Sequence, residues 1–588
     1  MTPLDLLFSL APLGAMLAAG FIFSRRGGRS VQDFVLGDRK FSWWQAGTAM
    51  VAGASNADSP LHHSGKIRRD GLTGAWYYWS QIVGQLFGAL VFSRLWRRSG
   101  LTTVVEFYEL RYAGRGAAAG RGCAMVLGTF VESTFGIALG LVAVVKLSEV
   151  FLGLHQPVSL WGVDFAPGLL VALAALALAA SYSVVAGLFG VVAGDVTEFL
   201  ITLACSYALM FFVYRATGYH AGLSEGLERL GLAAQRELAP AWGLSALVFF
   251  VFQPLATAAG VNSINQRFLA VRDERQSALA GVWRIVNHYF VRCWPWHLCG
   301  LCSLVLLAGS APEHELAYAE LILRYVPEGL RGFMFGSLVM AFMGTASTAM
   351  HTSGAVFVND FYRPYFRPAA PDRHYLWIIR GTMVVFAAAG VAVAMANDHI
   401  LSLVQLYYKV VSAAGLLMLL RWFWWRVNGW AEAAAQLAAL PVALLFEQGD
   451  RIFGEGRDPV DWLAARFGGG TADDHFAVSF ILTIAATTVI WLVVMLLTPP
   501  EPMEKLETFY RRIRPYGFWG PVAARCPEVR VTDRFARDLL LYVLGLTVCA
   551  CVLLGGVALT WGNVALGAGL LAAGGCGGWL LVRRLQRT

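Results

Sequence analysis

Runs of apolar residues about 20 long, the length a helix needs to cross the hydrocarbon of a bilayer, recur along almost the whole chain. They fall near 3–25, 41–65, 73–97, 121–151, 165–187, 190–216, 243–267 and 280–309, and then near 327–358, 374–396, 401–426, 431–447, 476–498, 537–558 and 561–584. Polar stretches rich in Arg, Gly and Pro separate many of them. The pattern predicts an all-α polytopic membrane protein with about 13–15 transmembrane helices. The first run ends at Arg25 and Arg26 with no small-residue cleavage pattern, so it reads as a retained helix.

Two runs break the apolar pattern. In the second, Gly53, Ser55, Asn56, Asp58 and Pro60 interrupt an otherwise apolar helix. Unpaired backbone is costly in hydrocarbon, so a helix broken at that depth lines a cavity or coordinates something, and an intramembrane Asp is a candidate functional group. Asp58 has another reading, as the cap of a half-helix that begins near Pro60, where its charge suits the helix dipole. A further interruption, from Gln253 and Pro254 to Gly260 and Asn262, follows five spans later. Paired breaks at corresponding places in two halves point to an inverted repeat with its site at the midplane. Spans two to six (41–216) and seven to eleven (217–430) then form the two repeats. Residues 1–40 add an N-terminal helix and loop, 431–498 additional helices, 499–536 a basic connector and 537–588 a C-terminal helical hairpin.

Composition fits this class, with 57% hydrophobic and 14% charged residues, against about 25% charged in soluble domains. The net charge of +8 collects in alternate loops, at 25–40, 94–115, 267–275, 363–367 and 511–514. By the positive-inside rule that bias puts the N-terminus outside and the C-terminus in the cytoplasm of an inner-membrane protein, and no nucleic-acid partner is needed to explain it. Lys66, Arg68 and Arg69, and Arg451 and Arg457, break the trend from outward loops. They are either a solvated rim or a basic vestibule that draws anions. Cys299 and Cys302 share a helix face, but no His/Cys cluster accompanies them, so packing explains them better than a metal. No nucleophile–base pair stands at useful spacing, which argues against an enzyme. Glu132, Arg284 and Arg292 are further charges inside spans, expected to pair with each other or with headgroups. His62 and His63 point to different helix faces, so at most one can line a pathway. The connector, with Arg511, Arg512 and Arg514, reads as a surface attachment.

Four segments in order, Asp33 to Arg39, Leu101 to Arg111, Tyr182 to Asp195 and Ala341 to Tyr362, together with the helix spacing, resemble the sodium/solute symporter family of proline, sugar, iodide, vitamin and sialic acid carriers. The likeness covers residues 30–430. It implies a 5+5 inverted-repeat (LeuT-like) core and a secondary active transporter that couples sodium entry to uptake of a small polar solute by alternating access. Sodium would be the coupling ion and no other cofactor is implied; a monomer suffices, and an oligomer is possible. The implied sodium ligands are the carbonyls of Ala54, Ala57 and Ala341 and the hydroxyl positions Gly344 and Thr345. Gly344 departs from the family, which has Ser there, and leaves water or Ser347 to supply the missing oxygen. Asp195 matches an acidic residue tied to the ion path, with Glu198 one turn on.

The same resemblance places the solute among Asp58, Ser59 and His62 of the second span, Tyr78 and Gln81 of the third, Gln253, Thr257 and Asn262 of the seventh, and Gln405 or Tyr408 of the eleventh. Asp58 then meets a substrate ammonium or completes the cation site, and protonation would give it a third role. The 254–259 run lacks the ring that stacks on sugars, and Tyr78 replaces the Glu of sugar carriers, so neither hexose nor proline is favoured. A zwitterion would satisfy both Asp58 and the basic outer loop. A proton-coupled or uncoupled carrier of the same fold, or a solute sensor without transport, are the alternatives.

Overall fold

The structure is a computed structural model that describes residues 1–588 except 25–29, 154–157, 161–162, 240–243, 253, 255–262, 311–312, 396–399, 450–451, 453, 455–457, 468–471 and 587–588. Among the described residues, the apolar runs form helices, some of them broken. They are α1 (Pro3–Ser24), the two halves α2 (Trp43–Gly53) and α3 (Asp58–Asp70) of the second span, α4 (72–99) and α5 (114–152). A two-stranded hairpin, β1 (Val158–Leu160) and β2 (Val163–Phe165), precedes α6 (Pro167–Val184) and α7 (Gly187–Ala216). These last two join end to end at Gly187, whose φ of 56° bends the chain without ending it.

The second half follows with α8 (244–252) and α9 (Ser263–Leu269) on either side of the second predicted break, then α10 (274–306), α11 (Leu330–Phe357), α12 (Asp372–Met395) and α13 (400–423). The additions are α14 (Gly429–Glu447), α15 (Ala472–Leu497), α16 (Met503–Ile513) and the C-terminal pair α17 (Phe535–Thr560) and α18 (Val564–Gln586). Among the described residues, 11 helices are long and apolar enough to cross a membrane. The second, third, seventh and eighth spans are not among them, and those are the spans that carry the interruptions and much of the interior polarity.

Helix α11 is the axis of the bundle, buried nearly all round, with α1, α5, α6, α7 and α12 packed on it. Small residues let the backbones close up: a Cβ at Gly332 or Gly336 would overlap the backbone of Asp5 or Ser9 in α1 at 1.8 and 2.1 Å, the close approach that small residues give membrane helices. The connector docks on the protein itself. Leu506, Phe509, Ile513, Trp519 and Val522 are buried, and Phe509 and Trp519 flank the buried Arg111 guanidinium. Arg111 also donates to the carbonyls of Arg421, Trp424, Trp425 and Val427, so the connector closes one end of the bundle.

Candidate functional site

The break between α2 and α3 is held by one asparagine. Asn56 accepts from its neighbour Ala57 N at 2.8 Å through Oδ1 and donates to Gly136 O of α5 at 2.9 Å through Nδ2, while its own N–H donates to Ser59 Oγ at 3.0 Å. These bonds replace the helical ones lost at the interruption, as a break inside a membrane requires. The approach to α5 depends on Gly140, where a Cβ would stand 2.4 Å from both Asn56 and Phe342. Thr345 of α11 donates to Ser55 O across the break at 3.2 Å. The broken second span and α11 therefore meet where the sodium site was expected.

Asp58 does not cap α3. Ala57 holds that position, and no side chain makes the cap hydrogen bond. The carboxylate instead faces a cavity, with Oδ2 at 3.6 Å from His62 Nε2 and Oδ1 without a hydrogen-bond partner among the described residues. The cavity is about 260 Å³, just below the usual range of small-molecule sites, roughly 300–1,000 Å³. Of the expected residues, Ala54, Asp58, Ser59, His62, Tyr78, Gln81, Thr345 and Tyr408 line it. His62 bonds the Tyr78 hydroxyl at 2.7 Å, whereas His63 turns away, stacks on Tyr78 and contacts His297 at 3.1 Å. Gln81 donates to the Tyr408 hydroxyl at 3.1 Å and accepts from Tyr289 at 3.4 Å, tying α4 to α13 and α10.

Other expected residues lie elsewhere. Gln253, Thr257 and Asn262 lie outside the described residues. Gln405 is half-buried and is not part of the cavity wall, which α13 builds from Tyr407, Tyr408 and Val411. Ala341 borders a separate small void with Asn56, Pro60 and Arg292. Gly344 faces α1 and α7, where an added Cβ would sit 3.6 Å from Met16, 3.7 Å from Glu198 Cγ and 3.9 Å from Asp195 Oδ1. Both acids are fully buried and face guanidinium groups: Asp195 meets Arg267 at 3.2 Å, and Glu198 meets Arg292 at 2.8 Å. Arg267 also donates to Thr348 at 3.1 Å. Ser347, one candidate for the oxygen missing at Gly344, has its hydroxyl bonded to Ser183 at 2.7 Å.

Residues not singled out for the site also line it: Gln85, Glu132, Arg284, His288, Tyr289, Tyr407 and Thr348. Gln85 lies one turn from Gln81 on the same face, a signal the sequence contained. The basic outer loop is not an open vestibule. Lys66 and Arg69 both pair with Asp70, at 2.5 and 2.8 Å, and Arg68 turns inward to the Ser303 carbonyl. Arg451 and Arg457 lie outside the described residues.

Comparison with known proteins gives this architecture a family. The chain is 23% identical over 459 residues to the sodium/glucose cotransporter of Vibrio parahaemolyticus, covering 71% of this chain and 80% of that one. It is 26% identical over 405 residues to the human sodium/iodide cotransporter, covering 63% and 57%. Among solved structures, a Na+-coupled sialic acid symporter in a substrate-bound outward-open state shares the fold with a TM-score of 0.62 at 16% identity, over 85% of this chain and 99% of that one. A family model matches residues 34–434, more than half of the chain, and on that match the protein belongs to the sodium:solute symporter family.

Proposed function

We propose that the protein carries a small polar solute in the cavity beside Asp58 and drives its uptake with one sodium ion bound where α2 and α3 meet α11. The carbonyls of Ala54 and Ala57 and the Thr345 hydroxyl, joined by the carbonyl of Ala341 one turn before Thr345 on α11, are the ligand set of this reading, a hard-oxygen site of the kind alkali and alkaline-earth cations take. The observation that carries the reading is the contact of Thr345 with Ser55 O across the break. A cation there joins the broken span to the bundle axis and favours one of the two arrangements between which the repeats, 41–216 and 217–430, rock.

Asp195 and Glu198 back the ion site from behind Gly344, each with one oxygen that has no hydrogen-bond partner. Arg267 and Arg292 offset their charge, so the carboxylates favour a cation nearby without demanding a second ion. The loop charges orient the chain with its N-terminus outside and its C-terminus in the cytoplasm.

The test is uptake by proteoliposomes of a pool of labelled common L-amino acids, with an inward sodium gradient against an equal potassium gradient. Concentrative uptake in sodium alone supports symport. Equal uptake in both salts contradicts it.

A further inference from the structure

Eight spans in, α10 carries a charge that no acidic residue pairs with among the described residues. Every other buried arginine is engaged: Arg94 with Asp538, Arg121 with Asp360, Arg267 with Asp195, Arg292 with Glu198 and Arg421 with Glu432, while Arg68 and Arg111 bond backbone carbonyls. Arg284 is 5% exposed, forms no ion pair among the described residues, and has an Nε without a hydrogen-bond partner. It lines the cavity. Its neighbours include the phenols of Tyr289, with which it hydrogen-bonds, and Tyr408, neutral groups at ordinary pH. A buried cation is costly unless it is paired or fully hydrogen-bonded, and a ligand can supply the partners the protein does not.

From this placement we infer that Arg284 is the anchor for a carboxylate of the transported solute, and that the solute is a small zwitterion of amino-acid type with its ammonium at Asp58. Asp58 supplies the opposite pole, since its Oδ1 also lacks a partner and it lines the same cavity. Tyr408 lies within electrostatic reach of both charges. A guanidinium offers a flat fork of donors that matches a carboxylate in two parallel bonds, and a phenol beside it adds a third donor. With Lys66 and Arg69 paired to Asp70, Arg284 is the Lys or Arg that lines the cavity among the described residues.

The inference rests on the symport reading and fails separately from it. Thermal melting of the purified full-length protein is followed in sodium and in potassium, with the common L-amino acids, their carboxamides, glucose and myo-inositol as probes. Sodium alone is expected to raise the melting temperature. In sodium, at least one amino acid should raise it further while its carboxamide does not. Arg284→Gln should weaken that amino acid by about 10-fold or more, the worth of a charged hydrogen bond, and Arg284→Lys should recover part of the loss. Both variants should keep the sodium-only shift, which shows that they are folded. Binding of glucose or myo-inositol, equal binding of an acid and its amide, undiminished binding by Arg284→Gln, or no amino acid bound while sodium still stabilises, each overturns the zwitterion anchor. A wild type indifferent to sodium overturns the symport reading along with it.

Discussion

Two groups of buried charge lie beside the α11 axis, and their chemistry differs. On α7, Asp195 and Glu198 are matched by Arg267 and Arg292 at 3.2 and 2.8 Å, all four buried. By contrast, Asp58 and Arg284 share a cavity of about 260 Å³, and no ion pair joins either to a described Lys, Arg, Asp or Glu. Charges that answer one another hold helices in register. Charges held open beside a cavity lower the stability of the empty protein and lend that energy to a ligand. The same residue types therefore do structural work in one place and recognition work in the other, and only their surroundings distinguish them.

The comparison can be broken from either side. Arg267→Ala strands Asp195 in the interior and is expected to cost about 3–5 kcal/mol of stability, read as a large fall in melting temperature. Replacing the pair together, Arg267→Met with Asp195→Leu, should restore most of it. Arg284→Gln should behave in the opposite way, with solute affinity falling about 10-fold while the melting temperature of the empty protein holds or rises. Asp58→Asn keeps the shape and removes the charge; solute affinity should drop several-fold in binding titrations, and an unchanged affinity would exclude Asp58 from the site. The smallest effect belongs to Gly344→Ser, whose Cβ meets Met16 and Glu198 at 3.6 and 3.7 Å, ordinary contact distances. If its hydroxyl turns to the ion, the sodium concentration for half-maximal stabilisation should fall modestly, and a clear rise would show that the glycine is required.

The spans were legible because a bilayer fixes both the length and the composition of a helix that crosses it. The break at Ala54 to Asp58 was legible for the same reason, since Gly, Asn, Asp and Pro have no other business in such a run. The division between His62 and His63 followed from helix geometry, and the structure keeps it: His62 lines the cavity and His63 packs behind Tyr78. What the sequence hid was partner choice. Asp195 was tied to the ion path by resemblance, and the guanidinium it pairs with, 72 positions away on another span, was not readable from the sequence.

Arg284 and Arg292 looked alike, eight positions apart on one helix and expected to pair. At 3.6 residues per turn, positions 284, 288 and 292 drift along one face, and Arg284 and His288 do share the cavity. The chain from Val286 to Arg292 is wound as a π-helix, however. The wider turn shifts the register, and Arg292 reaches Glu198 of α7 instead. Local winding of this kind depends on packing, and no periodicity in the sequence announces it.

The central claim, that sodium bridges the broken second span to α11, is tested most directly by hydrogen–deuterium exchange, without any solute, in sodium against equal potassium. Sodium should slow exchange across residues 52–60 and 341–348, and Thr345→Ala should abolish the slowing. Identical exchange in the two salts, or slowing that survives Thr345→Ala unchanged, would contradict it.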